Sequence, residues 1–100
     1  MHNANFEQRG GKEMERLEKA REIVRKEKER VYKNWRAQDG GLTWAAGDYL
    51  AIIAWLETLL HHAQDIQEVK EILWEESGDT THYESYEISL FLDVLDALED

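Results

Sequence analysis

An eight-residue run without a polar side chain lies near the middle of the chain and constrains its fold more than any other feature. It covers residues 49–56, inside the apolar stretch 42–60, and it is bounded by Asp48 and Glu57. A helix that is apolar on every side has to be surrounded by other helices. The run therefore predicts a buried central helix.

Turn-forming residues are scarce along the chain. It has no proline and six glycines, which leaves few positions for the tight turns of a sandwich or barrel. Its length of 100 residues suits one domain with a modest core. We expect an all-α fold, a small three- to four-helix bundle around the buried central helix. The single helical domain would span residues 12–100 and follow a flexible arm at residues 1–11.

The helix boundaries follow from local signals. Asp39-Gly40-Gly41 predicts a break, after which Thr43 can cap the next helix. Nearly heptad apolar spacing then continues to residue 76 and favours one continuous or kinked helix over 43–76. The alternative is a break near residues 61–64, because Asp65-x-x-Glu68 resembles a capping box.

The last helix is predicted to begin at a second capping box, Thr81-x-x-Glu84. It carries two apolar stripes, which are Tyr83, Tyr86, Leu90 and Val94, and then Ile88, Phe91, Leu95 and Leu98. One small bundle offers little surface to bury both stripes. We therefore expect a homodimer formed through the C-terminal helix.

Charge is divided unevenly between the two parts of the chain. Residues 1–38 hold eleven Lys/Arg and seven Asp/Glu, a net of +4, whereas residues 39–100 hold one Lys and fifteen Asp/Glu, a net of −14. Such a split indicates either internal pairing or separate partners for the two parts. The absence of cysteine and of an apolar signal-peptide segment predicts a soluble, cytoplasmic protein without membrane contact.

Acidic residues form two patches in the second part of the chain. Between Glu57 and Glu75, polar residues recur at helical spacing, and a second group lies at the C-terminal end, where the helix dipole disfavours anions. Such a cost to stability is understandable if a partner supplies cations. A solvated face is the alternative. The predicted partner-binding residues are Glu68, Glu71, Trp74, Glu75, Glu76, Asp93, Asp96, Glu99 and Asp100.

These patches favour a binding protein that inhibits or regulates a basic protein partner by electrostatic occlusion. Carboxylate rows can imitate the field of nucleic acid, so the expected partner is a nucleic-acid-binding enzyme or complex rather than nucleic acid itself. Phage anti-defence proteins and immunity proteins offer analogies of size and acidity. The alternative function is a structural or adaptor subunit that self-assembles through the charge split.

One pair of motifs resembles a known enzyme family. Glu68-Val-Lys-Glu71 and Glu84-Ser-Tyr-Glu87 are similar to the Glu-rich signature of MazG-type nucleotide pyrophosphohydrolases, although this chain has Glu87 where that family has Asp. The resemblance implies Mg²⁺ held by carboxylates on two helices. Apart from it, the chain has no Ser/His/Asp set, phosphate loop or zinc motif. We therefore expect no catalytic residue, metal ligand or cofactor.

Overall fold

Four helices make up the part of the chain that the structure describes. The structure, a computed structural model, describes residues 2–99, with side chains from residue 13 onward. Helix α1 spans His2–Asn34, α2 Trp44–His61, α3 Ile66–Ser77 and α4 Ser85–Leu98. The predicted all-α bundle is confirmed for this part of the chain. None of its helices is both long and apolar enough to cross a membrane.

The backbone of α1 includes most of the segment that was expected to form a flexible arm. The helix begins at His2, so residues 2–11 lie on it, whereas Met1 falls outside the described residues. The mobility of this segment stays a prediction. Further along α1, the apolar side chains of Leu17, Ala20, Val24 and Val31 are buried.

The break between α1 and α2 lies where the glycines predicted it. Gly40 has a φ of 88°, a conformation that L side chains rarely adopt. The Asp39 carboxylate accepts a hydrogen bond from the Gly41 N–H at 2.9 Å. Thr43 then caps α2 by accepting from the Ala46 N–H at 3.1 Å. These bonds reverse the chain and place α2 beside α1.

The favoured prediction of one helix over residues 43–76 is wrong, and the alternative break is correct. Helix α2 ends at His61, and Asp65 caps α3 by accepting from the Gln67 N–H at 3.0 Å. Apolar spacing stays in register across the link, so periodicity alone could not reveal the turn. The cap decides the boundary because the first backbone N–H groups of a helix have no acceptor within the helix, and the Asp65 side chain supplies one.

The capping box of α4 lies three residues later than predicted. The Thr81 hydroxyl donates to the Asp79 carboxylate at 2.8 Å and is used within the turn. Glu84 is the N-cap instead, and its N–H donates to the Glu87 carboxylate at 2.7 Å. This bond explains how Glu87 can be 5% exposed although it is an acid.

Burial is greatest along α4 rather than along α2. Helix α4 packs against α1 and α3, and both of its apolar stripes contribute to the single core cluster. The apolar surface that suggested a homodimer is thus largely covered within one chain, and the homodimer stays a prediction. Helix α2 packs mainly on α1 and leaves Ala51, Ala54 and Trp55 exposed. Within one chain, the helix at residues 49–56 is therefore not surrounded by other helices on every side.

An aromatic junction joins the α1–α2 turn to α2 and α4. The ring centroids of Trp35, Tyr49 and Tyr86 lie 5.0–5.3 Å apart. The buried Tyr49 hydroxyl donates to the Glu27 carboxylate at 2.5 Å, and Arg30 pairs with the same carboxylate. The hydrogen bond from Arg30 and, to a smaller extent, the one from Tyr49 lower the pKa of Glu27. Burial raises the pKa of Tyr49. The junction fixes α2 at its N-terminal end.

Candidate partner-binding surface

Three glutamates form the outward edge of α3. Glu68, Glu71 and Glu75 are exposed and follow one another at three- and four-residue spacing, so they share one side of the helix. Ile66, Val69 and Leu73 are buried on the opposite side. We refer to these three glutamates as the acidic ridge. The sequence prediction placed them on one face, and the structure does so too.

A shallow groove with an exposed tryptophan lies on one side of the acidic ridge. Trp74 is 69% exposed, which is far more than a core aromatic residue would be. The groove, of about 260 Å³ between α3 and α4, is lined by Gln67, Lys70, Glu71, Trp74, Leu95 and Glu99. Lys70 lies 3.9 Å from the Glu99 carboxylate. Trp74 and two of the predicted acids therefore lie close together.

Other predicted residues are not part of this surface. Glu76 is half-buried and accepts a hydrogen bond from the Tyr83 hydroxyl at 2.6 Å, which raises the pKa of Tyr83 to about 12. Asp93 lies on the α1 side of α4, in a groove that also holds Lys26 and Arg30. Asp96 is exposed on α4, and Asp100 lies outside the described residues. The nine predicted residues thus do not form one continuous patch.

The acidic row predicted between Glu57 and Glu75 is divided by the α2–α3 break. Glu57 stays on α2, where its carboxylate lies 3.3 Å from the Lys28 ammonium. His61 and His62 are exposed at the end of α2, with ring centroids 5.0 Å apart. Only the α3 part of the row keeps the predicted spacing on one face.

Part of the basic charge of α1 is paired within α1. Arg25 pairs with Glu22 and Glu29, and Arg30 pairs with Glu27. Among the described residues, Lys28–Glu57 is the ion pair that joins α1 to another helix. Arg16 and Arg21 reach the other helices by donating to the backbone carbonyl oxygens of Leu98 and Leu60. The negative charge of α3 and α4 remains available to a partner.

A second groove, which the sequence prediction missed, lies on the other side of the acidic ridge, between α2 and α3. It consists of two hollows, of about 370 and 310 Å³, that meet at Trp55. We refer to it as the Trp55 groove. Its walls include Ile52, Leu59 and Ile72, each partly buried. The sequence suggested Trp55 only as a core residue, because it lies inside the apolar run.

The Trp55 groove exists because the bundle is closed on three of its four sides. Helix α1 packs against α2 and α4, and α3 packs against α4, whereas α2 and α3 make no packing contact of comparable extent. Trp55 lies in this gap and makes an edge-on contact with Phe91 of α4, at a centroid distance of 6.0 Å. It is still 39% exposed.

The carboxylates are not gathered into a metal site. Among the side chains that the structure describes, from residue 13 to residue 99, no group of three or more His, Asp or Glu is arranged to hold a metal ion. Of the two motifs that resemble the MazG-type signature, the second turns Glu87 back onto the N-terminus of its own helix. Its carboxylate is therefore used in capping α4.

No protein-family model, curated protein or solved structure matches this chain.

Proposed function

We propose that this chain is a binding protein that attaches to a basic protein partner through the acidic ridge and Trp74. The observation that carries the proposal is a tryptophan, 69% exposed, next to a helix edge made of glutamates. Tryptophan is among the residues that contribute most to binding when a partner covers it. The surrounding carboxylates would select a positively charged partner.

Electrostatics support the same proposal. The net charge of −10 attracts basic proteins over long distances and accelerates their association. The glutamates of the ridge rise by roughly 4.5 to 6 Å from one to the next along α3. Phosphates follow each strand of DNA at intervals of about 3.4 Å, so the ridge is a coarse imitation of such a row. A nucleic-acid-handling protein is the proposed partner, and the chain would inhibit it by covering its substrate groove.

Capture from a lysate of the source organism tests the proposal. The tagged protein is expected to retain a basic protein that elutes sharply as salt rises from about 0.1 to about 0.5 M, because screening shortens the reach of charges. The Glu68→Lys/Glu71→Lys/Glu75→Lys variant is expected to lose that protein.

A matched control has the same change of charge on another helix. The Glu13→Lys/Glu15→Lys/Glu18→Lys variant alters three glutamates of α1 and is expected to keep the captured protein. Binding that ignores salt would contradict electrostatic attachment. Equal losses in the two triple variants would show that net charge rather than the ridge acts.

Exposed apolar residues favour a second candidate, a subunit of a self-assembling oligomer. Trp44 is 94% exposed at the start of α2, and Leu92 is 45% exposed on α4, where a homodimer through the C-terminal helix would bury it. Light scattering coupled to gel filtration is expected to show a defined oligomer that Leu92→Lys dissolves. A monomer at all concentrations would contradict this candidate.

A further inference from the structure

The Trp55 groove has the length and the direction of a helix-binding site. Its lining runs along α2 from Ala51 to His62, the C-cap residue, about 16 Å at 1.5 Å per residue, and α3 forms the facing wall. Three turns of a third helix fit that length. Grooves between two helices are a common place for an amphipathic helix to bind.

The floor and walls of the groove are largely apolar. Ile52, Leu59, Val69, Ile72 and Phe91 line it, and Trp55 lies where its two hollows meet. Trp55 contacts Phe91 on one edge and keeps 39% of its surface exposed. A partner that covers this remaining surface would gain hydrophobic free energy at the centre of the contact.

The rim of the groove is acidic. Asp65 and Glu68 lie at one end and Glu76 lies at the other. Among the described residues, no lysine or arginine lines either hollow. An apolar floor with carboxylates at both ends is complementary to a helix that has an apolar stripe and flanking lysines or arginines.

The basic helix of a second copy does not meet this requirement. The apolar stripe of α1, which includes Leu17, Ala20 and Val24, is buried in its own core. The side chains that α1 leaves exposed between Lys19 and Lys33 are mostly charged, and both signs are mixed. A helix that fills the groove must carry an apolar stripe that is not already buried in its own protein.

We infer that the Trp55 groove binds one basic amphipathic helix of another protein, with its apolar side chains on Trp55 and its lysines or arginines on Asp65, Glu68 and Glu76. The inference rests on the proposed function, because it names the element by which the basic partner would attach. Glu68 belongs both to the acidic ridge and to the rim. One partner can therefore contact the ridge and fill the groove.

Synthetic peptides test the inference without knowledge of the partner. The first probe is a labelled peptide of about 18 residues with leucines at i, i+3, i+4 and i+7 and lysines elsewhere. The second has the same composition in scrambled order, and the third has glutamates in place of the lysines. Fluorescence anisotropy against the full chain is expected to show the first peptide binding at least about tenfold more tightly than the other two.

Two variants place a charge in the groove, and one control lies outside it. Thr58→Arg changes an exposed wall residue, so folding should not suffer, and Ile72→Lys changes a partly buried one. Each is expected to weaken binding of the first peptide at least about tenfold. Ala45→Arg, which adds the same charge to an exposed position of α2 outside the groove, is expected to leave its affinity unchanged.

Three results would overturn the inference: equal affinity for the scrambled peptide, wild-type affinity in Thr58→Arg and Ile72→Lys, or an equal loss in Ala45→Arg. Failure of the groove is distinct from failure of the proposed function. If Thr58→Arg still captures the salt-sensitive basic protein, the function stands and the groove inference falls. If the peptide binds in the groove but the ridge variant captures as wild type does, the groove stands and the proposed function falls.

Discussion

Removal of one hydroxyl group tests how α2 is held against α1. Tyr49→Phe keeps the ring, and with it the contacts to Trp35 and Tyr86, but it deletes the hydrogen bond to Glu27. A hydrogen bond to a charged group contributes about 1.5–3 kcal/mol. The Glu27 side chain is 20% exposed and keeps its pairing with Arg30, so the loss should fall at the lower limit. We expect the free energy of unfolding to decrease by about 1.5 kcal/mol.

Two assays measure the loss, both followed by circular dichroism. Urea unfolding gives the free energy of unfolding, and thermal unfolding gives the Tm. For a domain of this size, each kcal/mol shifts the Tm by about 4–8 °C, so Tyr49→Phe should lower it by about 6–12 °C. A double-mutant cycle with Glu27→Gln isolates the pair from other effects of each change. The two substitutions together should cost less than the sum of the single costs.

The contribution of Glu27 also depends on pH. Its pKa is lowered in the folded protein, so its contribution to stability is present above the unfolded pKa of about 4.5 and is lost as pH falls through the folded value. The difference in stability between the wild type and Tyr49→Phe should shrink over that acid range. A loss below about 0.5 kcal/mol at neutral pH, or full additivity with Glu27→Gln, would refute a role for this bond in holding α2.

Three further substitutions probe the caps, the turn and the exposed surface. Asp65→Ala should reduce the free energy of unfolding in urea by about 1 kcal/mol through loss of the α3 cap, and an unchanged value would contradict the observed bond. The hydrogen bond to Asp79 raises the pKa of His82 above 6.5, so the stability it adds is present below 6.5 and lost as pH rises through the folded pKa. NMR titration should show the His82 midpoint return toward 6.5 in Asp79→Asn, and an unmoved midpoint would count against the pair. Trp74→Ala should change the unfolding free energy by less than about 0.5 kcal/mol, whereas a larger loss would show that the indole packs in the core.

Local signals in the sequence were sufficient for the all-α class, for the first break and for one cap. The glycines after Asp39 and the cap at Thr43 lie where they were predicted, because both depend on neighbouring residues alone. The α2–α3 break was misjudged because apolar spacing continued through it. The capping box of α4 was predicted three residues too early because Thr81 also fits the sequence pattern. Only the structure of the turn shows that the Thr81 hydroxyl donates to the Asp79 carboxylate instead.

Contacts between distant parts of the chain could not be predicted. The run at residues 49–56 suggested full burial, but its burial depends on how many helices surround it, and α2 packs mainly on α1. The Trp55 groove results from that same arrangement. The acidic ridge could be predicted, since it depends on the spacing of Glu68, Glu71 and Glu75 along one helix. The separation of Asp93 from that ridge could not be predicted, because it depends on how α4 is rotated about its axis between α1 and α3.

Site-specific photocrosslinking in cells of the source organism tests the proposed function most directly. A benzoylphenylalanine in place of Glu71 lies on the acidic ridge beside Trp74, whereas one in place of Glu18 lies on the exposed side of α1. We expect the position at Glu71 to crosslink to a basic protein, and the position at Glu18 to give no such product. The same products from both positions, or none from Glu71, would contradict binding through the ridge.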